Sequence, residues 1–238
     1  MTRYLVPALV LAAAAGFVLT VWMVFTDTPL QANFLPDGSL DGSNLYFNQK
    51  IFYYHVSHAF WLFGAVGVCG VSSILFLWKR DPKWDDIALG SAEVAVAFGA
   101  VVLLTGSIWA KAAWDHWWIW ENRLTMSLLL WLTLVGYVIV RRFAGASGER
   151  LAAAMAIFAM VGVPFIYTMV NRDDSHPQAG ASGNVATMDP RMRPAFWLSV
   201  ATFFLWFLAL VITRVQSARA ERQLRELREQ GLDAGVLS

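Results

Sequence analysis

Charged residues are scarce in this chain of 238 residues, where Asp, Glu, Lys and Arg together make up 15% of the sequence. Hydrophobic residues account for 58% of it. A typical soluble domain carries about 25% charged residues and about 45–50% apolar ones. The composition therefore excludes an ordinary soluble protein and indicates an integral membrane protein.

Cysteine is almost missing, since Cys69 is the only one and lies in an apolar run. An internal disulfide and a Cys-x-x-Cys redox pair are both excluded. No Cys-x-x-Cys-His motif is present either, so the chain does not attach a c-type haem covalently to itself. Thiol chemistry is excluded as its central activity.

Long apolar stretches are what the sequence does contain, and six of them reach the length of about 20 residues needed to cross a bilayer. The first is longer than the 7–15 apolar residues of a signal peptide, so we predict that it is retained. We predict an all-α integral membrane protein with six transmembrane helices. The predicted spans are Tyr4 to Phe25, Ile51 to Trp78, Ile87 to Ile108, Leu124 to Val140, Leu151 to Val170 and Ala195 to Ile212.

The distribution of basic residues predicts the orientation of these spans. With both termini in the cytoplasm, the inner segments carry twelve of the 18 Lys and Arg residues, as the positive-inside rule requires. All four histidines then lie on the outer side: His55 and His58 at the start of the second span, His116 between spans three and four, and His176 between spans five and six.

The chain divides into a six-helix membrane domain, residues 1–213, and a charged cytoplasmic tail, residues 214–238. Pairs such as Glu221 with Arg225 stand four residues apart in the tail and predict a helix there. The tail is interpreted either as a solvated helix that ends the sixth span or as a surface that docks on a cytoplasmic partner.

The segment WAKAAWDHWWIWENRLT, residues 109–125, holds five tryptophans within twelve positions between spans three and four. An aromatic belt at the membrane interface explains one or two of them. If the segment is helical, Trp114, Trp117 and Trp118 share one face. Indoles supply flat stacking area, and Arg123 offers a fork for carboxylates. A large planar ligand with an anionic edge fits this combination, and haem, whose iron takes imidazole, is such a ligand.

The stretch WDHWWIWENRLT resembles the tryptophan-rich WWD motif, roughly WGxWWxWDxRLT, of the haem-handling proteins of cytochrome c maturation. Within the wider CcmC, CcmF and CcsA superfamily, the Arg-Leu-Thr ending is typical of the CcmC or haem exporter protein C family. Six spans, a histidine in YYHVSH and another in SHPQ also match that family. Two positions depart from the motif, because Asp115 replaces its glycine and Glu121 its aspartate.

The resemblance implies a haem site, and it implies no catalytic residue. The bound group would be haem b, held non-covalently, with His55 and His176 as the axial ligands of its iron. His58 and His116 are additional histidines that the family pattern does not require. The residues that would contact the haem, besides the two histidines, are Trp114, Trp117, Trp118, Trp120 and Arg123.

The function implied is to hold haem at the outer face of a bacterial cytoplasmic membrane and to deliver it to a periplasmic, CcmE-like haem chaperone. A CcmA/CcmB ABC transporter and a CcmD-like small protein are the other expected partners, and no nucleic acid is expected. Two alternatives are a b-type electron-transfer subunit and a haem permease. A permease needs polar groups near the midplane, but the main candidate, Glu93, lies near the inner end of its span, where we expect it to reach the interface.

Overall fold

The computed structural model describes residues 2–28, 49–144, 148–169 and 188–235. Within these ranges the chain is helical, without a strand, and each helix contains a stretch long and apolar enough to cross a membrane. The prediction of an all-α protein with six transmembrane helices is confirmed. The helices are α1 Thr2–Thr26, α2 Lys50–Lys79, α3 Pro82–Trp114, α4 Asn122–Phe143, α5 Gly148–Met169 and α6 Arg193–Asp233.

A turn of only two residues joins α2 to α3. Arg80 takes a left-handed conformation with φ 56° and ends α2. Asp81 then caps α3 by accepting a hydrogen bond from the Lys83 main-chain N–H at 3.0 Å, and Pro82 occupies the first helical position, where its missing N–H costs nothing. The two helices therefore run antiparallel in direct contact, and the start of α2 lies beside the end of α3.

Three helices, α2, α3 and α6, form the centre of the bundle, while α1 and α4 are its least buried members. Glycines allow the close approaches. A Cβ atom at Gly90 of α3 would lie 2.9 Å from the main-chain nitrogen of Val215 in α6, and one at Gly70 of α2 would lie 2.6 Å from the Met160 side chain in α5. Small residues at contacts are expected in a bilayer, where packing rather than water exclusion drives association.

Ion pairs connect the helices at one end of the bundle, which we call the basic end. Arg141 of α4 pairs with the buried Asp85 of α3 at 2.5 Å. The carboxylate of Glu93 in α3 pairs at the same end with the guanidinium of Arg214 in α6, also at 2.5 Å. The opposite end, at which α3 stops and α4 starts, is called the tryptophan end.

The charged tail continues α6 without a break, since that helix runs to Asp233. Its first turns pack on the bundle, because the Arg222 guanidinium donates to both carboxylate oxygens of Asp86 at 2.8 and 3.1 Å. Beyond this pair the side chains are mostly exposed, including Leu224 and Leu227. The beginning of the tail is therefore docked on its own chain rather than fully solvated.

Candidate ligand site at the tryptophan end

His55 lies near the start of α2 and faces the last turns of α3. Its Nδ1 atom is 2.9 Å from the Thr105 hydroxyl, and its ring centroid is 5.7 Å from that of Trp109 at an interplanar angle of 72°. A Cβ atom at Gly106 would come within 3.1 Å of the imidazole Cε1. Three residues of α3, namely Thr105, Gly106 and Trp109, therefore contact the predicted ligand histidine.

The tryptophan segment is not one helix. Its first part, up to Trp114, ends α3, and residues 115–121 are non-helical before α4 begins at Asn122. The condition under which Trp114, Trp117 and Trp118 would share one helical face is therefore not met. The change of direction occurs at Asp115, whose φ of 62° and ψ of 14° place it in the left-handed region.

Asp115 occupies the position where the resembled motif has glycine, the residue that adopts left-handed angles most easily. Its side chain instead pairs with the Lys111 ammonium one turn earlier, and its main-chain N–H donates to the Lys111 carbonyl at 3.1 Å. The Lys111 ammonium, by its hydrogen bond and its charge, holds the pKa of the Asp115 carboxyl below its usual range.

The tryptophans of the non-helical connection differ in exposure. Trp117 and Trp120 are 61% and 76% exposed, whereas Trp118 is half-buried. The Trp118 and Trp120 rings meet edge to face, with centroids 5.9 Å apart, and line a pocket of about 210 Å³ together with Leu103 and Leu128. The connection therefore presents flat apolar surface beside α3 and α4.

Arg123 stands in the first turn of α4, at the same end of the bundle as His55. No carboxylate lies within ion-pair distance of its half-buried guanidinium in the described ranges. Glu121 is close in sequence, but its carboxylate accepts the main-chain N–H groups of Arg123 and Leu124 at 3.0 and 2.7 Å and so caps α4. The guanidinium thus remains available for an anion.

A second pocket, of about 280 Å³, lies on the other side of this end, between α1, α2 and α3. Two polar groups at its wall, the Tyr54 hydroxyl and the Trp109 indole N–H, are buried without a hydrogen-bond partner among the described residues. The same is true of the Trp118 indole N–H, which belongs to the first pocket. Buried donors are normally paired. A ligand with oxygen acceptors would supply the missing partners. The pocket is lined by Phe25, Lys50, Ile51, Tyr54, Ile108, Trp109 and Ala112.

The other histidines differ from His55. His58 lies one turn further along α2, and its Nδ1 atom is 2.8 Å from the Tyr54 carbonyl oxygen. Its ring packs against Phe203, with the two ring centroids 4.1 Å apart. His116 is exposed on the non-helical connection. His176 lies outside the described residues, so its pairing with His55 stays a prediction.

No group of three or more His, Cys, Asp or Glu side chains that could hold a bare metal ion occurs in the described part of the chain. A ligand that brings its own metal needs only one imidazole on each side. His55 and Arg123 both lie at this end of the bundle, and that they belong to one site stays a prediction. Thr105, Gly106 and Trp109 were missed as site residues, and only Trp109, inside the tryptophan segment, carried a signal.

The amino-acid sequence was also compared with those of known proteins. The family model described as CcmC, Heme exporter protein C, matches residues 1–230. The Heme exporter protein C of Escherichia coli (strain K12) is 29% identical over 215 residues, which cover 87% of this chain and 81% of that protein. Its counterpart in Paracoccus denitrificans (strain Pd 1222) is 30% identical over 184 residues, covering 75% and 76%. A putative cytochrome c biosynthesis ccmC-like mitochondrial protein of Marchantia polymorpha is 28% identical over 163 residues, covering 66% and 68%.

Proposed function

Because the chain belongs to the Heme exporter protein C family, we propose that it binds haem b non-covalently at the outer face of the cytoplasmic membrane. It then presents the haem to a CcmE-like periplasmic chaperone for cytochrome c maturation. The observation that carries the proposal is the presence at one bundle end of an imidazole, His55, held by Thr105, and of a guanidinium, Arg123, that has no carboxylate within ion-pair distance in the described residues.

The donor set suits this cargo. Haem iron takes an imidazole nitrogen, and His55 has one ring nitrogen engaged with Thr105 and the other available. The haem propionates are carboxylates, for which a guanidinium is the preferred partner. We propose Arg123 for this contact, and His176 as the ligand on the second side of the iron.

Flat apolar side chains complete the proposed site. Indole faces stack on extended π-systems and exclude water from them, and Trp114, Trp117, Trp118 and Trp120 lie in or beside the connection between α3 and α4. Trp117 and Trp120 are largely exposed. A cargo resting against them keeps one edge within reach of a second protein, as delivery requires.

Delivery to a periplasmic chaperone requires the tryptophan end to face outward, which the excess of Lys and Arg on the opposite segments supports. CcmA with CcmB, and a CcmD-like small protein, are the proposed companions. A permease acting alone gains no support from Glu93, because this carboxylate is paired with Arg214 at the basic end instead of lining a path at midplane.

Optical spectroscopy tests the proposal. The protein is purified in mild detergent, and its absorption spectrum is compared with those of His55→Ala and His176→Ala. We expect the wild type to show a bis-imidazole haem spectrum and each variant to lose it, since either change removes one axial ligand. His116→Ala is the matched control, because His116 is exposed at the same end, and it should keep the spectrum. Unchanged spectra in both ligand variants would refute the assignment.

A further inference from the structure

We propose that Thr105 is a positioning residue for His55. Its hydroxyl accepts a hydrogen bond from the Nδ1–H of His55 and so keeps the Nε2 nitrogen unprotonated and ready to bind a metal. The identity of that metal as haem iron rests on the proposed function, but the protonation pattern of the ring does not.

The hydroxyl of Thr105 has one proton to donate and two main-chain carbonyls beside it. Its Oγ1 is 2.6 Å from the Val101 oxygen and 3.3 Å from the Val102 oxygen. Carbonyl oxygens only accept hydrogen bonds, so the shorter of these distances takes the proton. The hydroxyl can then only accept from the third neighbour, the His55 Nδ1 at 2.9 Å.

The Thr105 hydroxyl therefore meets the Nδ1 edge of His55 as an acceptor. A neutral imidazole that carries its proton on Nδ1 has its lone pair on Nε2. Such a partner bond is how proteins set the tautomer of a ligand histidine.

Packing holds the ring in this position. Gly106 allows the His55 ring to lie this close to α3. A Cβ atom at this position would be 3.1 Å from the imidazole Cε1, which is closer than an ordinary van der Waals contact. Trp109, one turn further along α3 from Thr105, meets the ring edge to face. Residues 105, 106 and 109 therefore form a cradle on one helix for a side chain of another.

The tautomer can be measured without any ligand. Nitrogen-15 NMR of histidine-labelled protein in lipid bilayers distinguishes Nδ1–H from Nε2–H, and His55→Ala identifies the resonances of His55. We expect Nδ1–H in the wild type and in Thr105→Ser, which keeps the hydroxyl. Thr105→Val, which keeps the shape but not the oxygen, should lose the preference. A wild-type His55 with its proton on Nε2, or a tautomer unchanged in Thr105→Val, would overturn the inference.

Haem titration gives a second readout. Loss of the orienting partner of a ligand histidine costs about 10- to 100-fold in affinity, so Thr105→Val should bind haem at least about tenfold more weakly, with rescue by Thr105→Ser. Thr133→Val is the matched control, because the Thr133 hydroxyl likewise donates to the carbonyl four residues earlier, at 2.8 Å, but in α4. It should bind as the wild type does.

The two hypotheses fail differently. If the wild type takes up no haem while His55 carries its proton on Nδ1, the proposed function is refuted and the assignment of Thr105 stands. If haem binds but Thr105→Val changes neither the tautomer nor the affinity, Thr105 is not a positioning residue and the proposed function is unaffected.

Discussion

Asp115 combines two tasks at the residue that ends α3. Its backbone turns the chain through left-handed angles, and its carboxylate binds the Lys111 ammonium on the preceding turn. Left-handed angles bring Cβ close to the next carbonyl oxygen, and Asn and Asp tolerate them better than other residues with a side chain. This conformation directs the next residues away from the axis of α3 and so determines where the tryptophans go.

Substitution at this residue separates backbone from side-chain effects. We expect Asp115→Gly to retain thermal stability, because glycine adopts positive φ freely. Asp115→Val should lower the midpoint of thermal unfolding, because a β-branched side chain is strained at φ 62°. Circular dichroism in detergent measures both. Asp115→Asn is the control and should resemble the wild type, and equal unfolding midpoints for the valine and glycine variants would contradict the role of the backbone.

Residues of the candidate site stood out in the sequence when their type was rare in an apolar context. His55 and Arg123 stood out for this reason, and both lie at the tryptophan end. Thr105 did not, since a threonine in a membrane helix commonly bonds to the carbonyl four residues before it, as Thr133 does too. The difference between the two threonines is a contact with another helix, which the chain's linear order does not reveal.

The connection between α3 and α4 is the element that the proposed function needs most. We expect the double change Trp117→Leu with Trp118→Leu to lower haem retention while leaving membrane insertion intact, because leucine keeps the apolar character but lacks the flat ring. Haem content per protein after affinity purification measures this. Trp78→Leu is the matched control, since Trp78 is 77% exposed at the basic end. Equal haem content in the double variant and the control would count against a stacking role.

Helix positions were predictable, but the accuracy of the predicted helix ends varied from one span to another. The second predicted span, Ile51 to Trp78, lies within one residue of α2 at each end, whereas the third, Ile87 to Ile108, falls five residues short at the start and six at the end of α3. Hydropathy detects the part of a helix that lies in hydrocarbon. The true ends depend on local hydrogen bonds, such as the Asp81 cap, which continue the helix through polar residues.

Sidedness is a property of the whole molecule, and thiol labelling tests it. Cys69 is fully buried, so the native chain gives little background. We expect a membrane-impermeant maleimide, added outside intact cells, to label His116→Cys and to spare Arg225→Cys, because the tryptophan end is predicted to face outward. Permeabilised cells should label both, which controls for reactivity. Labelling of Arg225→Cys alone from outside would reverse the predicted orientation and with it the periplasmic delivery.

The central helices are tied together near both membrane surfaces. Phe196 of α6 stacks on Phe52 of α2 with centroids 5.2 Å apart, while at the other surface Arg222 and Arg214 hold α6 to Asp86 and Glu93 of α3. Transmembrane helices commonly adapt to a thinner or thicker bilayer by changing their individual tilt. Contacts near both ends of α2, α3 and α6 restrict such independent tilting. We therefore expect the outlying helices to take up most of a mismatch with the surrounding lipid, so that the His55 cradle changes little with bilayer thickness.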